Sequence, residues 1–195
     1  YADELEVILR YTFSYMQNRE GSSVYIRLST RNIPQIKREI NKSLEEKILS
    51  GGYWLEKPKN KSNITIVFSG VIAPEVLEAA RLIKEDDVNV SILIITSSDR
   101  LYKNWKLSQK ERSKGIKMIS RIDELFSDTL DDSAIVSVID AHSSSLTWIG
   151  GAVGKKIVSL GVDEFGQSGN LKDLYQNYSI DADAIIDACA QVLSN

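Results

Sequence analysis

One histidine and one cysteine bound the chemistry open to this chain. His142 follows Asp140 by two residues, at the expected C-terminal end of a strand, the edge where parallel sheets hold their ligands. An imidazole there suits acid–base work or a substrate contact. The run Ser143, Ser144 and Ser145 offers the same stretch a second use, capping the next helix. Without a second histidine, a histidine relay and a His-rich metal site are excluded. Cys189 alone supplies neither an internal disulfide nor a thiolate zinc set. It falls on the apolar face of a terminal helix with Ile185, Ile186 and Val192, the place of a structural thiol. No Ser–His–Asp order can be assembled, and no carboxylate pair stands out from the acidic residues.

The richest loop is GVDEFGQSGNLKDLY, residues 161–175. Gly161, Gly166 and Gly169 permit tight turns, and Ser168 or Asn170 can cap the helix that follows. Free amides at a helix start bind anions, so Gly166, Ser168 and Asn170 join His142 as candidates for an anion or substrate-channel contact. The competing reading is a structural turn that closes the last crossover. No glycine-lysine-serine unit marks a phosphate loop, and GGAVG (150–154) sits inside an apolar helix pattern, without the strand and turn of a dinucleotide fingerprint. No metal or cofactor site is expected on the chain itself.

The elements that must position these residues follow from periodicity. ITIVFSG (64–70), NVSILIITS (89–97), SAIVSVID (133–140) and KIVSLGV (156–162) read as buried strands. Helices are expected over APEVLEAARLIKE (73–85), KGIKMISRIDELF (114–126), the stretch from SLTWIGGAVG, and about 170–177 and 182–193. Strands alternating with helices predict a three-layer α/β/α sandwich with a mainly parallel sheet. Upstream, Leu5, Ile8, Leu9, Thr12, Phe13 and Met16 form one helical face that ends near Gly21, and VYIRLS (24–29) alternates as a strand. A Lys- and Asn-rich stretch punctuated by Pro34 and Pro58 reads as a linker, with a short helix over 43–49 and a strand through Tyr53 and Leu55.

The 195 residues suit one domain plus a piece of another, and the net charge of −3 argues against a general polyanion binder. Charge is uneven: residues 99–121 hold eight basic and two acidic side chains, residues 122–195 three basic and twelve acidic. The basic stretch, with Tyr102 and Trp105, has a composition that also suits stacking on nucleic acid, but reads first as a solvated surface loop anchored by its aromatics. No nucleic-acid partner is expected. No apolar run is long enough to span a membrane, the first residues are not a signal peptide, and the expected location is the cytoplasm. Tyr1 opens within a helical pattern, so the chain is expected to be a fragment of a longer protein.

Residues 161–193 resemble the C-terminal end of the transketolase-like thiamine diphosphate enzymes, most of all the homodimeric pyruvate dehydrogenase subunit. The similarity rests on Phe165, Gly166, Ser168, Leu174, Tyr178, Ile180, Asp181 and Ala182, with Thr96, Ser97 and Trp105 as a second match. VYIRLSTRN is similar to the strand that ends the pyrimidine-binding domain, and ITIVFSGVI to the first strand of the C-terminal domain. The resemblance implies a tail of the pyrimidine domain over 1–30, a linker over 31–62 and a transketolase C-terminal-like domain over 63–195. It also implies an enzyme that decarboxylates pyruvate and acetylates a lipoyl group, with a homodimer partner and a lipoyl acyltransferase. Thiamine diphosphate and magnesium would be held elsewhere in that enzyme. This chain would bind neither, and would serve dimer contacts and the shape of the substrate channel. A ketol-transferring enzyme of the same family, or a stand-alone interaction module, are the alternatives.

Overall fold

Runs of branched apolar residues make the centre of the molecule, because strands buried on both faces need side chains that pack on a pleated surface. The computed structural model describes residues 1–58, 62–129 and 133–194. Its five strands are β1 (Gly52–Glu56), β2 (Ile64–Ser69), β3 (Val90–Ile95), β4 (Ala134–Ile139) and β5 (Ile157–Leu160). They lie in the order β1-β3-β2-β4-β5. β2 pairs parallel with β3 and β4, β5 pairs parallel with β4, and β1 closes the far edge antiparallel to β3.

Alternate residues of these strands feed two separate cores. Ile66, Phe68, Ile92, Ile94, Val136 and Val138 face one side. There they meet helices α1 (Ala2–Gln17), α2 (Lys42–Leu49), α3 (Ala73–Glu85), α7 (Leu171–Asn177) and α8 (Ala182–Ser194) through Val7, Ile48, Val76, Tyr175 and Ile185. Val67, Leu93, Ile95 and Ile135 face the other side, against α4 (Ser98–Ser113), α5 (Arg121–Phe126) and α6 (Ser144–Val153) through Leu101, Ile122 and Leu146. The result is the α/β sandwich expected from the alternation, with a mixed sheet. Among the described residues, no helix is long and apolar enough to cross a membrane.

Four local expectations change. The basic stretch 99–117 is not a loop: most of it is α4, a helix whose buried residues are Leu101 and Ser108. With so narrow an apolar stripe among charged side chains, the helical period is hard to hear in the sequence. The helix expected over 114–126 shrinks to α5. Gly115, at φ 81°, turns the chain out of α4, and a capping box between Ser120 and Asp123 restarts it. Ile116 and Ile119 are left exposed in the connection. The segment 24–29 forms no strand; both sheet edges are already made by β1 and β5, and Tyr25 and Leu28 project to solvent. Helix α1 turns Glu4, Val7 and Thr12 inward rather than Phe13 and Met16, which are exposed.

The 31–62 stretch contributes α2 and the edge strand β1 to the same sheet and core. Residues 59–61 of that stretch, with 130–132 and 195, lie outside the described residues.

Candidate functional site

The sheet order sets where a ligand would sit. The chain leaves β2 towards α3 on one face and leaves β4 towards α6 on the other, so the ends of these neighbouring strands part. Crevices of this kind at the carboxyl ends of parallel strands are the usual ligand sites of open α/β sheets. Here the crevice is a cleft of about 310 Å³, bounded by Ser69 at the end of β2, Gly70 just after it, Asp140 after β4, and Arg27, Ser29 and Thr30 from the N-terminal segment. Gly70 has φ 80°, and a Cβ there would meet open space, so its glycine serves the backbone turn and not a close approach.

Two contacts hold the N-terminal segment over this edge. Arg27 Nη2 donates to the Asp140 carbonyl at 2.8 Å. Arg31 grips Glu75 with two nitrogens, at 2.9 and 2.7 Å, and lies 5.2 Å from the centre of the Tyr175 ring. Tyr175 Oη in turn donates to Asp140 Oδ2 at 3.0 Å. Burial, the Asp140 charge and this hydrogen bond push the Tyr175 hydroxyl up to about 12, so it remains a donor at neutral pH.

His142 lies at the same edge, in the turn before α6. Its Nδ1 accepts from the Ser144 amide at 3.2 Å and stands 3.4 Å from Asp163 Oδ1. An accepting Nδ1 places the proton of the neutral ring on Nε2. Asp163 also takes the Ser143 amide and hydroxyl, each at 2.8 Å. These two bonds, the amide first, hold the Asp163 carboxyl below its ordinary range against the opposing effect of burial, and the positive charge of a protonated His142 ring adds the least. The sequence offered no sign of this pairing, because 20 residues separate Ser143 from Asp163. Arg27 was hidden by the expectation of a strand, in which an arginine would merely alternate outward, and Arg31 by the expectation of a linker.

The remaining candidates are placed one by one. Asn170 caps α7, its Oδ1 accepting from the Asp173 amide at 3.0 Å. Gly166 has open space where a side chain would be, and Ser168 is exposed. Among the described residues, no hydrogen bond joins Gly166, Ser168 or Asn170 to His142. Instead the loop is braced by Tyr178, whose Oη accepts from the Gln167 amide at 2.7 Å and donates to the Phe165 carbonyl at 3.1 Å. The Phe165 ring, 91% exposed, is presented by this clamp. Farther along, Asp181 accepts from the Ala184 amide at 3.1 Å and so opens α8. On the opposite side of the sheet, Trp105 stacks on Trp148 at 5.6 Å, and Tyr102 meets Trp148 edge-on at 5.3 Å. Cys189 is buried, and burial pushes its thiol up to about 12.

Comparison with known proteins agrees with this architecture. A split-gene transketolase, described as an inactive β4 tetramer, superposes with a TM-score of 0.52 at 17% identity, over 73% of this chain and 42% of its own. A mutant transketolase from Pichia stipitis gives 0.57 at 18% identity, over 85% of this chain and 20% of its own. Transketolase from Campylobacter jejuni gives 0.51 at 18% identity, over 75% and 19%. At these identities the likeness is one of fold, and the chain spans less than half the length of each structure. No curated protein sequence matches. The model of the transketolase-like TK C-terminal domain matches residues 51–181, from the turn before β1 to the cap of α8. The chain therefore belongs to the transketolase-like C-terminal domain family.

Proposed function

We propose that this chain is the C-terminal part of a cytoplasmic thiamine diphosphate-dependent 2-oxo acid dehydrogenase of the homodimeric pyruvate dehydrogenase type. Residues 1–30 would end its pyrimidine-binding domain, 31–62 would lead out of it, and 63–195 would form the C-terminal domain. The observation that carries the reading is the run from Phe165 to Ala182. Its residues that resemble the pyruvate dehydrogenase ending have defined structural tasks: Phe165 is presented by the Tyr178 clamp, Ile180 is buried, and Asp181 opens α8.

Among the described residues, no group of three or more His, Cys, Asp or Glu side chains could hold a metal ion. Thiamine diphosphate and magnesium belong, in this proposal, to the other domains of the full-length enzyme, and the chain itself is non-catalytic. Its own tasks are to contact the partner subunit, where the exposed Phe165 ring is suited to burial, and to wall one side of the substrate channel near His142. The lipoyl acyltransferase would receive the acetyl group from the assembled enzyme.

The transketolase titles of the structural neighbours favour a second reading, the C-terminal domain of a ketol-transferring enzyme. One experiment separates the two. Full-length protein with thiamine diphosphate and magnesium is assayed for pyruvate decarboxylation by reduction of an artificial electron acceptor, with this 195-residue chain as control. Activity with pyruvate in the full-length protein alone is the expected result. Turnover of a ketose phosphate but not pyruvate would move the assignment to the second reading. Activity with neither would overturn both and leave an interaction module.

A further inference from the structure

The cleft between the ends of β2 and β4 holds one positive and one negative side chain, Arg27 and Asp140, and no other ionisable residue lines it. These two charges do not pair with each other. Among the described residues, the Arg27 guanidinium makes a single hydrogen bond, to the Asp140 carbonyl, and enters no ion pair. The Asp140 carboxylate takes the Tyr175 hydroxyl at 3.0 Å and likewise enters none. Each charge is thus held near the other by a different bond and keeps most of its hydrogen-bonding capacity. A guanidinium with four N–H groups left presents a fork for a carboxylate, and a carboxylate with a free oxygen can take an ammonium.

From this arrangement we infer that the cleft is a binding site for a free α-amino acid, its carboxylate on Arg27 and its ammonium on Asp140. A lining of zero net charge with separated opposite poles matches a zwitterion. A dianionic phosphate would gain Arg27 but face the Asp140 charge uncompensated. The uncharged lining suits the rest of such a ligand. Buried Val71 offers an apolar floor for a small side chain and the largely exposed Leu28 flanks the cleft at its rim, while the Ser69 hydroxyl, which donates to the Ile95 carbonyl at 2.8 Å, can accept a further ligand proton. A volume of about 310 Å³ lies at the small end of ligand pockets and limits the side chain to a few atoms.

The Asp140 end is set by its surroundings. The Tyr175 hydroxyl that orients it comes from α7, and the Tyr175 ring lies beneath Arg31, which Glu75 fixes from α3. A pole held by packed elements is better organised for binding than one on a free side chain. The site depends on the cleft and not on the pyruvate dehydrogenase reading, so its test reads binding directly.

The test is isothermal titration of the full-length protein with glycine, L-alanine and L-serine, and with propionate, ethylamine and L-lactate as probes of each pole. Saturable binding of the amino acids, at least about tenfold tighter than propionate or ethylamine, is the expected result. Arg27→Ala and Asp140→Asn should each weaken the amino acids by about tenfold or more, while Asp140→Asn binds propionate at least as tightly as the parent. Arg27 is exposed, so its variant should keep its circular dichroism and serve as the folded control. No heat with any amino acid, or equal affinity in both variants, overturns the inference. L-lactate binding as tightly as L-alanine would show a site for hydroxylated anions instead. A failure here leaves the pyruvate assay untouched, and a failure there leaves this site standing.

Discussion

Tyr175 Oη donates to Asp140 Oδ2 at 3.0 Å and so ties α7, late in the chain, to the end of the interior strand β4. The bond crosses 35 residues and fixes the acidic pole of the cleft. Tyr175 is buried, so removing its hydroxyl leaves the packing in place and takes away one hydrogen bond to a charged group. Tyr175→Phe should cost about 1–2 kcal/mol in urea unfolding. A loss below the error of the measurement would show that water replaces the hydroxyl at no cost.

Gly161 follows β5 and passes close under the end of β4. A Cβ at this position would stand 2.6 Å from both the Ala141 carbonyl oxygen and the Ser143 amide nitrogen. Both are backbone atoms and cannot swing aside, and the Val162 amide donates to the same Ala141 carbonyl at 2.8 Å. Gly161→Ala should therefore destabilise by about 1–3 kcal/mol, read as a lower melting temperature. Gly166→Ala, with open space at its Cβ, is the contrasting variant and should change little.

The Cys189 thiol, pushed up to about 12 by burial, should resist iodoacetamide at pH 8 until the protein unfolds. The linkage has a definite sign. In the unfolded chain a thiol ionises near ~8.5, so above that pH the unfolded state holds fewer protons than the native state. Stability should fall as pH rises from there towards 12. The slope of stability against pH between 8.5 and 10 should be shallower in Cys189→Ala than in the parent. Equal slopes would mean the native thiol ionises as freely as an unfolded one.

Asp163 works in the opposite direction. Its carboxyl is held below the ordinary range chiefly by the Ser143 amide and the Ser143 hydroxyl. Its contribution is present above the unfolded value and is lost as pH falls through the lowered native one. Its side chain is 49% exposed, so the effect on global stability is small. The Ser143 amide resonance gives the sharper reading, and should titrate with a midpoint below that of an ordinary aspartate. A midpoint at the ordinary value would show that the two Ser143 bonds do not persist in solution.

His142 is tested in the full-length protein. Under the proposed function, His142→Ala should change apparent substrate affinity or turnover by reshaping the channel wall, with dimerisation intact. Normal kinetics in a normal dimer would remove the imidazole from that role and leave it as part of the turn before α6.

The layered sheet was determined by local information. ITIVFS, VSILII and AIVSVI are apolar on both faces, a pattern that only a sheet covered on both sides can satisfy, and Pro74 and Asn170 mark helix starts by their own stereochemistry. The ending from Phe165 to Ala182 likewise carried the family. Helix α4 escaped notice because its apolar stripe is narrow, and the false strand at 24–29 arose because alternation alone does not supply a pairing edge.

The site belongs to the tertiary structure. Whether Arg27 meets Asp140, or Asp163 meets Ser143, depends on strand order and on which face each crossover takes. Those are settled by packing between residues 20 to 113 positions apart. Local propensity decides what a segment becomes, but only the order of the strands brings two distant ends to one crevice.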